Sequence, residues 1–186
     1  VDNHGGTISA HSSPGKGTTI FVRLPKEQPK ERQNNHESNP WEKIILLVED
    51  DPDDIYLIGE AIDECQLNVH INIVEDGEQM LDYLHHRGNY ADASVAPKPD
   101  LILLDLNMPR KDGREALSEL KQDHLLRSIP VVVLTTSSAE QDKTYSYNQG
   151  ASGFVTKPVT FSGLKDAVCR IGDYWIKTVQ LPDEKE

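Results

Sequence analysis

Asp105 directly follows an uninterrupted run of four aliphatic residues, 101–104, and a turn that contains Asn107 and Pro109 comes next. An apolar run of this length, bounded by polar residues, predicts a strand buried on both faces. In open parallel α/β sheets, ligands bind beyond the carboxyl ends of the strands. Asp105 is therefore placed as a reactive carboxylate, although this stretch alone equally fits an aspartate in a strand-ending turn.

Three other apolar runs also end in side chains that can do chemistry. Glu49 and Asp50 follow the run 44–48, Thr135 follows the run 131–134, and Thr156, Lys157 and Pro158 come after the short run Phe154-Val155. The carboxyl ends of parallel strands meet at one edge of a sheet, so we expect these groups to lie together.

Several carboxylates at one edge would repel one another and be driven towards protonation, and a divalent cation would relieve that repulsion. Mg²⁺ prefers oxygen ligands and combines one or two carboxylates with phosphate oxygens. We predict Asp50 and Asp105 as direct ligands and Glu49 as a ligand through water. The backbone carbonyl of Asn107 would complete the site.

With the cation bound, the Asp105 carboxylate can attack phosphorus and form an acyl phosphate, a known role for nucleophilic carboxylates. Charge on the transferred oxygens then needs further partners. The Lys157 ammonium and the Thr135 hydroxyl are predicted to supply them. Carboxylate, hydroxyl and ammonium come from separate strands, so the set is more specific than any one residue.

Five predicted strands alternate with five predicted helices, which indicates βαβ units, a parallel sheet and helices on both of its faces. Residues 69–73 alternate between apolar and polar, as a strand near a sheet edge does. This pattern favours an α/β, flavodoxin-like, doubly wound fold with strand order 2-1-3-4-5.

Four segments, 46–51, 104–109, 133–135 and 150–158, together resemble the receiver domain of two-component response regulators, over about residues 43–172. The resemblance implies that Asp105 is the phosphoacceptor, that Glu49 and Asp50 hold Mg²⁺, that Thr135 and Lys157 bind phosphate, and that Phe154 is the switch aromatic. It also implies a cis bond between Lys157 and Pro158. Glu49 and Phe154 depart from the family pattern, where Asp and Tyr are common.

A narrower likeness extends over the loop 85–92, the segment 111–115 and the ending 174–176, which are similar to the short response regulators of bacterial phytochromes. That likeness implies a sensor histidine kinase and a downstream protein as partners. It also implies signalling by protein contact without an output domain. A homodimer through the last helices is a further expectation.

Residues 1–25 contain two strand-like segments, 4–10 and 18–24, around the turn 14–18, and predict a hairpin. They resemble the last two strands of a histidine-kinase ATP-binding domain. Residues 26–42 have the composition of a flexible linker, and 173–186 are predicted as the end of the last helix and a tail. This resemblance leads to the hypothesis that the chain is the C-terminal end of a hybrid kinase, or of a kinase fused upstream of this receiver.

Composition narrows the class of protein. The chain has 186 residues and a formal charge of −12, of which residues 1–40 contribute +1. An acidic main domain without clustered Lys and Arg argues against DNA binding, and no apolar run approaches the ~18 residues of a membrane helix. We expect a cytoplasmic protein in which Cys65 and Cys169 are reduced thiols.

Two other functions compete with the receiver. An aspartate-nucleophile phosphohydrolase would need a second Asp two residues after the nucleophile as general acid, and that position is Asn107. A receiver-shaped interaction module that is never phosphorylated would have no need of Asp50, Asp105, Thr135 and Lys157 together. The sequence therefore favours a receiver that is not an enzyme beyond its own phosphorylation and dephosphorylation.

Overall fold

The computed structural model describes residues 7–13, 17–23 and 43–180. The chain divides between residues 38 and 39 into two compact units. In the first, β1 (Thr7–Ser13) and β2 (Gly17–Arg23) form an antiparallel pair, with Thr7 opposite Arg23. This pair matches the predicted hairpin, with the first strand shifted by three residues. The predicted turn residues 14–16, the linker 26–42 and the tail 181–186 lie outside the described residues.

A five-stranded parallel sheet forms the centre of the second unit, in the order β4-β3-β5-β6-β7. Its strands are β3 (Lys43–Val48), β4 (Val69–Val74), β5 (Leu101–Leu104), β6 (Val131–Thr135) and β7 (Gly153–Thr156). Counted along the chain, this is the predicted order 2-1-3-4-5. The strand predicted at an edge, β4, lies there, and Ile73 in it is 47% exposed.

Helices cover both faces of the sheet, as predicted. They are α1 (Pro52–Glu64), α2 (Gly77–Leu84), α3 (Gly113–Gln122), α4 (Glu140–Asn148) and α5 (Phe161–Trp175), with a 3-10 turn at Gly88–Tyr90. Buried residues of α1 and α5 form one core with alternate residues of the central strands, and those of α2 and α3 form the other. Each central strand is therefore buried on both sides, which explains its uninterrupted apolar run.

A side-chain cap defines the start of α1. The Asp51 carboxylate accepts hydrogen bonds from the backbone N–H groups of Asp53 and Asp54, and Pro52 occupies the first turn. This cap satisfies donors that have no partner within the helix. Asp76 caps α2 in the same way through the backbone N–H of Gln79.

Two expectations about covalent geometry were wrong. Cys65 and Cys169 form a disulfide, because α1 and α5 pack on the same face of the sheet and bring the two Cα atoms to 5.3 Å. The bond between Lys157 and Pro158 is trans, since the described chain contains no cis peptide. Trans is the isomer that X-Pro bonds ordinarily favour, by about 0.5–1 kcal/mol.

Among the described residues, none of the helices has both the length and the apolar character needed to cross a membrane.

Candidate functional site

Lys157 lies at the centre of a buried acidic cluster at the carboxyl edge of the sheet. Its Nζ donates to Glu49 Oε2 at 2.6 Å, to Asp54 Oδ2 at 2.6 Å and to Asp105 Oδ2 at 3.1 Å. The Lys157 side chain is only 5% exposed. We call these four residues the lysine cluster. Three carboxylates share one ammonium, so the cluster has an excess of negative charge.

Strand register explains why Glu49 and Asp105 meet. Val48 and Leu104 are partners in the parallel pair β3–β5, and each carboxylate belongs to the next residue along its strand. The Asp105 backbone N–H donates to the Val48 carbonyl at 3.0 Å. The first residue of α3 packs against this turn, where a Cβ on Gly113 would lie 2.0 Å from the Asp105 carbonyl oxygen. Glycine is therefore required at position 113, which sequence analysis had missed.

Burial shifts the ionisation of the cluster. Burial raises the pKa of Glu49 to about 7, and hydrogen bonding and attraction to Lys157 offset only part of that rise. Burial by itself would lower the pKa of Lys157, but hydrogen bonds to Asp54 and Glu49 hold it above its ordinary value. The lysine therefore stays charged, while the buried glutamate is poorly compensated as an anion.

The carboxylate oxygens of Glu49, Asp50 and Asp105 suit a hard divalent cation. One oxygen from each residue lies within 4.8 Å of the others. Asp50 is solvent-accessible, while Glu49 and Asp105 are buried. An all-oxygen donor set of this kind fits Mg²⁺ or Mn²⁺. The Asn107 backbone N–H donates to Asp105 Oδ1 at 3.2 Å, so this loop lies against the site, and its carbonyl as a ligand stays a prediction.

Thr135 is fully buried at the end of β6. Its Oγ1 accepts hydrogen bonds from Asn107 Nδ2 at 3.4 Å and from the Ser137 backbone N–H at 3.3 Å. Its carbonyl accepts from the Lys157 backbone N–H at 2.7 Å. Asn107 thus links the threonine to Asp105, and the predicted hydroxyl, carboxylate and lysine residues form one connected group.

Phe154 lies on the edge strand β7, opposite Val133 of β6. Its ring is partly buried and packs against the core on the α2–α3 face. It also lines an open pocket together with Tyr147, Arg170 and Trp175. Phe154 therefore lies at the boundary between the core and the surface, and its role as a switch aromatic stays a prediction.

A second charged group, which was not predicted, lies beside the site. Arg114 of α3 donates through Nε and Nη2 to the two carboxylate oxygens of Asp142 of α4, at 2.8 and 2.7 Å. Ser137 Oγ donates to the same carboxylate at 2.5 Å, and Arg114 Nη2 also reaches Asn107 Oδ1 at 3.3 Å. We call Arg114 and Asp142 the arginine pair. Hydrogen bonds from Arg114 and Ser137 lower the pKa of Asp142 to about 2.

The site residues that were not predicted differ in whether the sequence contains a signal for them. Asp54 lies in the first turn of α1, a few residues after the acidic pair Glu49 and Asp50, so its closeness in sequence to that pair could have pointed to it. The partners Arg114 and Asp142 lie on different helices, 28 residues apart. No spacing rule pairs them.

The chain is similar to known response regulators. The response regulator receiver domain model matches residues 45–169. The response regulator Rcp1 of Synechocystis is 43% identical over 146 residues, which is 78% of this chain and 97% of that protein. The autoinducer 2 sensor kinase/phosphatase LuxQ of Vibrio vulnificus is 27% identical over 92% of this chain and 20% of its own length.

Solved structures give the same result. The phosphorylated cyanobacterial phytochrome response regulator RcpA is 45% identical and superposes with a TM-score of 0.71, covering 76% of this chain and 99% of that one. The Mn²⁺-bound form of Rcp1 is 42% identical with a TM-score of 0.70 and the same coverage of both chains.

Proposed function

The chain belongs to the response regulator receiver domain family, and we propose that it is a phosphorelay receiver whose Asp105 accepts a phosphoryl group from a kinase histidine. The observation that carries the proposal is the lysine cluster, in which the Asp105 carboxylate lies 3.1 Å from a buried ammonium. A nucleophilic carboxylate and a fixed cation within hydrogen-bonding distance are what phosphoryl transfer to aspartate requires.

We propose Mg²⁺ as the cofactor, held by Asp50 and Asp105, with Glu49 acting through water and the Asn107 carbonyl completing the site. Support comes from the oxygen donor set and from the Mn²⁺-bound structure of Rcp1, a relative. When bound, the cation would offset the carboxylate charge and that of the transferred oxygens. Removing divalent cations should therefore abolish phosphorylation.

In the proposed transfer, an Asp105 carboxylate oxygen forms a bond to phosphorus while the bond from phosphorus to the donor imidazole nitrogen breaks. The electron pair of that bond remains on the imidazole, which takes up a proton. Lys157 pairs with one phosphoryl oxygen, and the Thr135 hydroxyl turns from Asn107 to donate to another.

We propose that the phosphorylated chain signals through altered protein contacts. The phosphodonor is a sensor histidine kinase, and the likeness to phytochrome response regulators favours one of the phytochrome class. A downstream protein partner, a cytoplasmic location and a homodimer through the last helices remain predictions. We expect no catalytic turnover beyond loss of the chain's own phosphoryl group. Asn107 lies where an aspartate-nucleophile phosphohydrolase would carry its general acid.

Labelling by acetyl phosphate with Mg²⁺ tests this function. Wild-type protein should take up one phosphoryl group on Asp105, and Asp105→Asn should take up none. Asp166→Asn, an exposed carboxylate on α5, is the matched control and should label like wild type. Steady release of phosphate from added phosphate esters would instead indicate a phosphohydrolase. Absence of any label would leave an interaction module.

A second function is favoured by one observation. The likeness to LuxQ extends over 92% of this chain, so it includes residues beyond the receiver. We propose on this basis that the receiver acts in cis within a hybrid histidine kinase. The coding region upstream of Val1 should then encode an ATP-binding domain and a phosphorylatable histidine. An upstream region without them would contradict this.

A further inference from the structure

Asp54 is the third anion on Lys157, and the proposed function does not use it. Its Oδ2 lies 2.6 Å from Lys157 Nζ, as close as Glu49 and closer than Asp105. It differs from those two in exposure, because the Asp54 side chain is 29% exposed while Glu49 and Asp105 are 1% and 6% exposed. It also differs in origin, because it comes from α1 and not from a strand end.

The start of α1 fixes where Asp54 lies. The Asp51 carboxylate accepts from the backbone N–H groups of Asp53 at 2.8 Å and Asp54 at 3.3 Å. The Asp54 side chain takes no part in that cap. Replacing its carboxylate therefore leaves the helix start intact, so its contact with Lys157 can be tested separately from folding.

An ammonium group has three N–H donors, and all three are engaged by the carboxylates of Glu49, Asp54 and Asp105. A phosphoryl oxygen can pair with Lys157 only by displacing one of them. Displacing Glu49 would take a buried carboxylate away from its ammonium, which is costly, and Asp105 is the residue that takes up the phosphoryl group. Asp54 can turn towards water, so it is the carboxylate that leaves at least cost.

We propose that Asp54 is a positioning residue that holds Lys157 in the unphosphorylated state and competes with the incoming phosphoryl group for its ammonium. This inference rests on the proposed function and deepens it. Asp54 thereby slows phosphorylation of Asp105. Once the phosphoryl group is on Asp105, the Lys157 ammonium forms an ion pair with one of its oxygens. Asp54 then has little influence on the lifetime of the phosphoryl group.

The test compares phosphorylation by acetyl phosphate and Mg²⁺ across variants. Asp54→Asn should raise the apparent second-order rate constant by about threefold to tenfold, the range expected for losing one partly exposed, charge-assisted hydrogen bond. The rate of dephosphorylation should change less than about twofold. Asp54→Glu, which restores a carboxylate, should return the phosphorylation rate towards that of wild type.

Asp53→Asn is the matched control, because Asp53 is an exposed neighbour in the same helical turn and loses the same charge. Equal acceleration by Asp53→Asn would assign the effect to overall charge and overturn the proposal. So would an Asp54→Asn protein that is phosphorylated no faster than wild type. Wild-type protein without any label would refute the proposed function itself, whereas labelled wild type without acceleration refutes only the role of Asp54.

Discussion

The lysine cluster and the arginine pair lie at the same edge of the sheet but balance charge differently. In the lysine cluster one ammonium serves three carboxylates, two of them buried. In the arginine pair the guanidinium meets the Asp142 carboxylate through two hydrogen bonds, and it also lies 3.7 Å from the more exposed carboxylate of Asp112. Burial raises the pKa of Glu49 in the first group to about 7, whereas Arg114 and Ser137 lower that of Asp142 in the second to about 2.

This contrast separates a site that needs a further partner from one that is complete. The lysine cluster keeps an excess of negative charge, which a divalent cation would balance. The arginine pair has none, and it joins α3 to α4 next to Asn107 and Thr135. We infer that the first group carries the chemistry and that the second holds the surrounding loops in place.

The largest expected effect comes from removing the ammonium group that the three carboxylates of the lysine cluster share. Lys157→Met leaves Glu49 and Asp105 buried without a counter-charge, and we expect the free energy of unfolding to fall by about 3 kcal/mol at pH 7 without divalent cations. Urea denaturation measures this. Lys165→Met, which removes a lysine from an exposed pair with Glu64, is the control and should leave stability unchanged. A similar loss of stability in both variants would show that the buried Lys157 stabilises the protein no more than an exposed lysine does.

Removing the guanidinium of the arginine pair should lower the free energy of unfolding by less than removing Lys157 does. Arg114→Met removes both hydrogen bonds to Asp142, and we expect it to cost about 1–2 kcal/mol of stability. A double-mutant cycle with Asp142→Asn isolates the interaction and should give a coupling energy of about 1 kcal/mol. Arg114→Lys keeps the charge but loses the paired geometry, so it should recover only part. A coupling energy near zero would contradict the assignment.

Protonation of Asp142 at low pH should remove the contribution of the arginine pair to stability. The pKa of Asp142 is lowered from 3.8 to about 2 by hydrogen bonds from Arg114 and Ser137. The native state thus binds fewer protons than the unfolded one in this range, so the stabilisation is complete above about pH 4 and disappears as the pH falls through 2. Carbon-13 NMR titration of the Asp142 carboxyl group measures it. In Arg114→Met the pKa should rise towards 3.8, and an unchanged value would refute the cause given.

The apolar runs carried the fold prediction because each central strand is buried on both faces and leaves a continuous aliphatic signal. The edge position of β4 was also visible, since a strand wetter on one face alternates. Once the strand order is known, Glu49, Asp105, Thr135 and Lys157 must meet at one edge. That meeting is present in the structure, while the roles assigned to these residues stay predictions.

Other features could not be obtained from the sequence pattern. The thiols of Cys65 and Cys169 were predicted to be reduced on the basis of compartment, but their pairing depends on how α1 lies against α5. The requirement for Gly113 depends on how closely α3 approaches the Asp105 carbonyl. Neither distance is encoded in local periodicity.

The sequence by itself determined the elements, their order in the sheet and the chemical groups at the strand ends. Uninterrupted apolar runs mark the strands that are buried on both faces, while alternation or a period of 3.6 residues marks the buried face of the other elements. Only the tertiary structure decided that Asp54 reaches Lys157 across 103 residues, that Arg114 meets Asp142 across 28, and that two cysteines 104 residues apart are joined. The physical reason is that the pattern of apolar residues shows which face of an element is buried. Which residue lies opposite a given side chain depends on how the neighbouring element is rotated and shifted against it.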